Sequence, residues 1–555
     1  MNNHRQQHVR RILDASGDHT PARVAEDGAL QINLASPNQT EALTASVTAR
    51  DLTTGETFQL GTHTIGTNRQ SFYVNLKDKL IANNGKSING DYSIDVSIFS
   101  SEDKANKIIE QFDETITFAK TVSPEDSKTG DASNNTFRHK SNPNSNDIHL
   151  YFGRGGTDSL DLTEFSSEDV HFFNGKNDLL QANASELGQQ TFYAGTVFDS
   201  MTLANGDEIY MQGIEQLHFG DVTINLSPDL DRTSRTQWNT QVMDVNGAWR
   251  FNTGSDNVVL VSLDTGFAPN DIGLPEIHND LKHVKVMNGL NTYRNFYKSH
   301  GHEAMSVMGA AHDGSDVAGI APNAQLWGYN LYGNGMTLYE AIQHAKNNRQ
   351  PNERLIFQGG IQGDFWWNSG SSRNEMERLL ATTEENCFFS IAAGNQYNRQ
   401  SVSGVAKASK QFSNIAAVGA LQYTSSNTDV DGIINANNTT TANYSNRGDG
   451  LTLMAPTDSP AIVDADGVIT DFSGTSCANP NLAGVAALVW GENENLDGSD
   501  VREILTTSAT DLGAGGYDGT FGHGLVNAEA AVRRAHALAQ NNELASFWNH
   551  QDVLA

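Results

Sequence analysis

The stretch TDFSGTSCANPNLAGVAALVW, residues 470–490, sets Gly-Thr-Ser ahead of a long run of small and apolar residues. Ser476 stands where a hydroxyl could cap a helix by accepting the unpaired amides of its first turn. Its surroundings point further. Gly474 permits a tight approach, Pro480 suits a first helical turn, and Ala483, Gly484, Ala486 and Ala487 let the helix pack closely. The pattern predicts a buried helix whose positive end faces a surface site. A nucleophilic serine there also needs a base, an orienting carboxylate and oxyanion donors.

Candidates for all three lie upstream. NVVLVSLDTGF, 257–267, reads as a buried strand that stops at Asp264, with Thr265 and Gly266 turning the chain. Strand carboxyl ends line the cleft of an open α/β sheet, so a carboxylate there is well placed for chemistry. SHGHEAMSVMGAA, 299–311, opens with His300 and Gly301 and runs into a helix. His302-Glu303 invites a zinc reading, but His312 lies too far along for the two-histidine helical spacing of a zinc hydrolase. CFFSIAAGNQYN, 387–398, is an apolar strand ending in Gly394-Asn395, and the Asn395 amide could donate to a developing oxyanion. Each piece alone is ordinary turn or cap chemistry.

Together they resemble the subtilases, the subtilisin-like serine proteases of peptidase family S8. The likeness rests on VVLVSLDTGF, SHGHEAMSVMGAA, SIAAGN and SGTSCANPNLAGVAAL in the family's Asp, His, Asn, Ser order. GIAPNAQLWGYNLYG at 319–333, IAAVGA at 415–420, LMAP at 453–456 and GHGLVNAEAAV at 522–532 add to it. The resemblance covers about residues 237–537 and implies an α/β catalytic domain with a mainly parallel sheet. It implies Ser476 as nucleophile, His300 as general base, Asp264 as its orienting carboxylate and Asn395 as oxyanion donor. Substrate would lie against Gly333, Asn334, Gly335, Gln358, Gly359 and Gly360. Two departures stand out: His-Gly-His-Glu where His-Gly-Thr-His is common, and Asn-Pro-Asn at 479–481 where Ser-Pro-His is common. Gln358-Gly359-Gly360 also replaces a frequent Ser-Leu-Gly, which leaves the specificity pocket open.

The rest of the chain divides by texture into a multidomain plan. Residues 1–28 read as a loose polar tail, 29–122 as a β-sandwich-like domain of alternating strands, and 123–146 as a Ser/Asn/Asp/Pro-rich linker. Residues 147–230 read as a second β-rich region, and 538–555 as a C-terminal tail. Within the second region GRGGTDSLDL, 153–162, resembles a calcium-binding nonapeptide repeat of the RTX type, with Arg154 replacing its second glycine and Asp158 offering an oxygen to calcium.

With 36 basic and 66 acidic residues the formal charge is −30, which argues against nucleic-acid and anionic-membrane partners. No apolar run reaches the length of a membrane span. The N-terminus carries no apolar signal core, and FWNHQDVLA resembles the tails of type I export substrates. Secretion without a conventional signal peptide is therefore expected, with a cytoplasmic protein as the alternative. The two cysteines, Cys387 and Cys477, are expected as free thiols, with Cys477 coupled to activity through the helix end it shares with Ser476.

These readings predict a serine endopeptidase acting on protein or peptide substrates, with no cofactor in the chemistry and a structural calcium ion at most. The rival is a secreted calcium-binding adhesive or binding protein on a subtilase-like scaffold.

Overall fold

In the computed structural model the strand Val258–Asp264 is buried along its whole length and lies inside an eight-stranded sheet. The strand order is 285–286, 325–330, 258–264, 354–359, 387–392, 415–423 and 439–441, with 453–456 also paired to 415–423. All these pairings are parallel except that of 439–441. The central strands 258–264, 354–359 and 387–392 are rich in valine, isoleucine, leucine and phenylalanine and are buried without alternation, as suits a sheet covered on both faces. The chain leaves 258–264 for 325–330 on one side and then crosses to 354–359 on the other. Asp264 therefore ends its strand at a topological switch point, where such sheets open a crevice.

The structure describes the strands within residues 9–118, then 127–130, 134–140, 148–173, 191–193, 196–204 and 207–226. It also describes 237–551 apart from 268–276, 289–298, 332–334, 361–369, 398–399, 424–438, 465 and 515. The helix Thr475–Glu492 is buried from Thr475 through Trp490 and packs on strands 354–359, 387–392 and 415–423. Gly484 is required there, because a Cβ would stand 2.7 Å from Ile320 Cβ.

The structure differs from the texture reading in three places. Val9–Asp14, in the expected loose tail, is a strand that pairs antiparallel with Ala29–Leu34. Beyond it lie a four-stranded antiparallel sheet, in the order 57–65, 43–51, 90–100 and 112–118, and the strand Ser71–Asn75 beside 29–34. The expected linker contains the strands Ser127–Thr129 and Thr136–Arg138. They belong to a parallel coil. Strands 127–129, 148–152 and 208–212 stack in one sheet, and 136–138, 159–162 and 216–219 stack in another. Phe137, Leu160 and Leu217 lie in register inside it. Three-residue strands between turn-rich segments carry too little periodicity to be told from a linker. The third difference is the tail, where the helix Ala528–Gln551 runs into residues 538–551.

That helix meets the coil through buried charge. Arg250 makes two hydrogen bonds to Asp199, at 2.6 and 2.9 Å, and the fully buried Arg533 donates to Asp199 (2.7 Å) and Glu529 (2.6 Å). Beside this network Glu215, Asp244 and Glu529 bring three buried carboxyl groups within 4.8 Å of one another. Burial, then the Glu529 charge, pushes Glu215 up to about 8, and the same two causes hold Asp244 well above the carboxylate range. A carboxyl group raised on folding binds its proton more tightly in the folded state. Between its ordinary value, 4.5 for Glu215, and about 8, the folded chain therefore holds the extra proton and stability falls as pH rises. The thermal midpoint is predicted to drop across that window, and Glu215→Gln is predicted to flatten the slope. An unchanged slope in differential scanning calorimetry of the variant would show that other groups set it.

Candidate active site

Asp264 is fully buried, and its Oδ1 accepts from its neighbour's amide, Thr265 N (2.8 Å), and pairs with His300 Nδ1 at 2.6 Å. His300 begins the helix His300–Gly309, whose first amides find partners in the turn after Asp264. Gly301 N donates to Thr265 O (2.6 Å), and His302 N to Gly266 O (3.1 Å). A Cβ at Gly301 would meet the Phe267 ring at 2.6 Å, so the helix start docks closely only because that residue is glycine. The Phe472 ring meets the imidazole edge to face, with centroids 5.1 Å apart. Burial by itself lowers the pKa of His300; the Asp264 charge and hydrogen bond more than offset it, and the result is a raised value.

Ser476 is the second residue of its helix and does not cap it; the cap position is Gly474. Its hydroxyl donates to the carbonyl of Gly360 at 3.2 Å. Gly360 is the common neighbour of the three groups: a Cβ there would stand 2.8 Å from Asp264 Oδ2 and 3.0 Å from His300 Cε1. Asn395 Oδ1 accepts from Thr475 N (3.0 Å) and Thr475 Oγ1 (2.9 Å), which fixes the orientation of its amide. Gly474, at φ +93°, keeps space open beside it: a Cβ would lie 3.1 Å from Asn395 Nδ2 and 3.5 Å from Ser476 N. An oxygen in that space would face two N–H donors, the geometry for holding negative charge on an attacked carbonyl. Thr475 as the anchor of Asn395 escaped the sequence reading, although it directly precedes Ser476 in the quoted motif.

The other expected residues divide. Gly359 borders the site and accepts Asn479 Nδ2 at 3.2 Å. Gln358 does not reach the cleft: it is fully buried, and its Oε1 accepts from Ser262 Oγ at 2.7 Å inside the sheet. Gly335 is described, whereas Gly333 and Asn334 lie outside the described residues. His302 is buried on the far side of its helix turn, bonded through Nδ1 to Ile462 O (2.7 Å), and burial holds it down to about 4. The Asn-Pro-Asn departure serves packing: Asn481 Nδ2 reaches Pro456 O, Ser459 Oγ and Cys477 O, and Asn481 Oδ1 accepts from Asn239. Pro480 falls in the second helical turn, not the first, because the helix begins at Thr475.

One expectation fails. Cys477 is fully buried, and burial pushes its thiol up to about 12, so the helix end does not make it a reactive thiolate; Cys387 is likewise held at about 12. Both are free thiols. Asp158 turns the chain between strands 148–152 and 159–162, where Arg154 (φ +77°) and Gly156 (φ +120°) adopt the left-handed backbone of a tight turn. Its Oδ1 accepts from Asn135 N and its carbonyl from Glu215 N and Gln216 N. None of the three ligand clusters among the described residues includes it.

Residues 255–524 match the family model described as Peptidase S8, the subtilase family. This stretch is a subtilase domain. The minor extracellular protease Epr of Bacillus subtilis (strain 168) is 26% identical over 313 residues, which cover 55% of this chain and 43% of that protein. Subtilisin DY of Bacillus licheniformis is 28% identical over 282 residues, covering 50% of this chain and 91% of its own. The chain thus spans under half the length of the first relative and most of the second. Among solved structures, one described as S41 psychrophilic protease aligns at 24% identity and a TM-score of 0.42, covering 53% of this chain and 98% of that one. The matched residues leave out 153–162, so the calcium-repeat resemblance gains nothing from them.

Two outcomes are predicted. Gly360→Ala should abolish hydrolase activity in a folded protein, because the methyl group would press on both Asp264 and His300; wild-type activity in that variant would refute the close approach. A thiol-specific chromogenic reagent should find no reactive cysteine in the native protein and both after denaturation, and native labelling at Cys477 would contradict its burial.

Proposed function

We propose that the protein is a serine endopeptidase that cleaves peptide bonds through an acyl-enzyme. The observation that carries this reading is the 2.6 Å contact of His300 with buried Asp264 beside the Gly360 carbonyl that holds the Ser476 hydroxyl. In the proposed reaction substrate displaces Gly360 O as the partner of that hydroxyl. His300 Nε2 takes the proton as Ser476 Oγ attacks the peptide carbonyl, and Asp264 stabilises the imidazolium. Asn395 Nδ2 and Ser476 N hold the oxyanion, each such donor contributing roughly 100- to 1000-fold in rate. His300 then returns the proton to the leaving amine, and water repeats the sequence on the ester. A resting hydroxyl bonded elsewhere is compatible with this, since such contacts tighten only when substrate is bound.

Substrate lies extended in this proposal, pairing its backbone with Gly333, Asn334, Gly335, Gly359 and Gly360 as an added strand. Among the described residues no helix is long and apolar enough to cross a membrane. The chemistry asks for no metal; a bound calcium ion would act on stability alone. Export is part of the proposal, supported by the acidic composition and by the likeness to an extracellular protease. Intact chain found only inside the producing cells would defeat that part.

Wild type should hydrolyse casein and take a fluorophosphonate label, and Ser476→Ala should do neither; hydrolysis without labelling would remove the serine mechanism. His300→Ala should lose several orders of magnitude in kcat. His302→Ala should keep turnover per folded molecule, and equal damage at both would move the base. Only the neutral imidazole can act as base, so the raised pKa of His300 places the acid limb of kcat/KM above the ordinary 6.5. Asp264→Asn should cost roughly 10⁴-fold in kcat and move that limb to lower pH, and an unshifted limb would assign it to another group.

A further inference from the structure

We propose that His139, His149 and Asp207, in the parallel coil ahead of the subtilase domain, form a binding site for a zinc-class divalent metal ion. The three side chains come from successive passes of the coil. His139 follows the strand Thr136–Arg138, His149 lies in Ile148–Phe152, and Asp207 immediately precedes Glu208–Gln212. His139 Nε2 stands 3.2 Å from Asp207 Oδ2, and His149 Nε2 stands 3.9 Å from Asp207 Oδ1. The candidate ligand atoms all fall within 4.8 Å of one another. Zinc holds imidazole nitrogen and carboxylate oxygen at about 2.0–2.2 Å, which in a tetrahedron separates neighbouring ligands by roughly 3.3–3.5 Å. His139 and Asp207 stand close to that spacing, and His149, 3.9 Å from the other Asp207 oxygen, would move inward to complete it.

Two further observations point to a ligand. His149 Nε2 is buried, faces the other two groups and makes no hydrogen bond. An imidazole nitrogen shielded from water with no partner is costly unless something else takes its lone pair. His139 is held the way metal-binding histidines are held: its other nitrogen, Nδ1, meets the Tyr151 hydroxyl at 3.0 Å, which fixes the ring so that Nε2 faces the site. Phe165 lies against the same ring, centroids 5.5 Å apart. Two imidazoles and a single carboxylate suit zinc and its neighbours better than calcium, which prefers an all-oxygen shell. Three protein ligands leave the fourth tetrahedral position to a further ligand such as water. The ion would tie three passes of a coil whose strands are only three to five residues long.

The test uses the full chain carrying Ser476→Ala, so that self-digestion does not interfere. The protein is stripped with a chelator, separated from it, and titrated with Zn²⁺ and, in parallel, Co²⁺. One tightly held zinc per chain is expected, with a cobalt absorption spectrum of four-coordinate nitrogen and oxygen ligation. His149→Gln, at the more exposed position, should weaken binding by about 100-fold with an unchanged circular-dichroism spectrum, and Tyr151→Phe by roughly 10- to 100-fold. Zinc should raise the melting temperature of the parent chain and not that of His149→Gln. No stoichiometric zinc on the parent chain, or equal binding by a folded His149→Gln, would overturn the assignment.

Discussion

The helix Thr475–Glu492 passes through the middle of the catalytic region with no exposed face over its first sixteen residues, Thr475 to Trp490. A helix surrounded by other elements cannot shift without moving all of them, so Ser476 sits where the core puts it. Its small residues are what allow the strands 354–359, 387–392 and 415–423 to close on it. The same burial seals Cys477, one position from Ser476, and so separates two neighbours by function. Ser476 looks into the crevice, and Cys477 looks into the core.

How much could be read beforehand follows from how local each feature is. Asp264, His300, Asn395 and Ser476 each sit at the end of a strand or the start of a helix, within a motif of three or four residues. Such ends mark themselves by glycine and by a break in apolar pattern. Gln358 could not be placed the same way. The strand 354–359 is buried on both faces, so alternation says nothing about which side chain meets the cleft and which meets Ser262. Cys477 was misjudged because a dipole argument uses position along the helix, whereas thiol reactivity depends on depth, which the sequence of one helix does not give. The coil was hidden for a third reason. Its ladder joins residues far apart in the chain, such as Leu160 with Leu217, through strands too short to carry a period.

The two charged assemblies solve opposite problems. Where the coil meets the C-terminal helix, Asp199 receives two arginines and Arg533 receives two carboxylates, so charge is cancelled within the protein. Buried pairs of this kind fix geometry more than they add net stability, because desolvation offsets most of their attraction. They suit a join that must be made in a single register.

In the crevice the arrangement is asymmetric. Asp264 places both of its protein hydrogen bonds on Oδ1, shared between an amide and His300, and Oδ2 has no protein donor. The charge is thus left to respond chiefly to the imidazole beside it, in a site where few other groups screen it. Gly360 makes this possible, since any side chain would fill the space next to Oδ2, and its carbonyl also holds the Ser476 hydroxyl at rest. One residue without a side chain therefore keeps the carboxylate, the imidazole and the hydroxyl within reach of one another. The identity of that residue is set by the approach of its neighbours and not by any chemistry of its own.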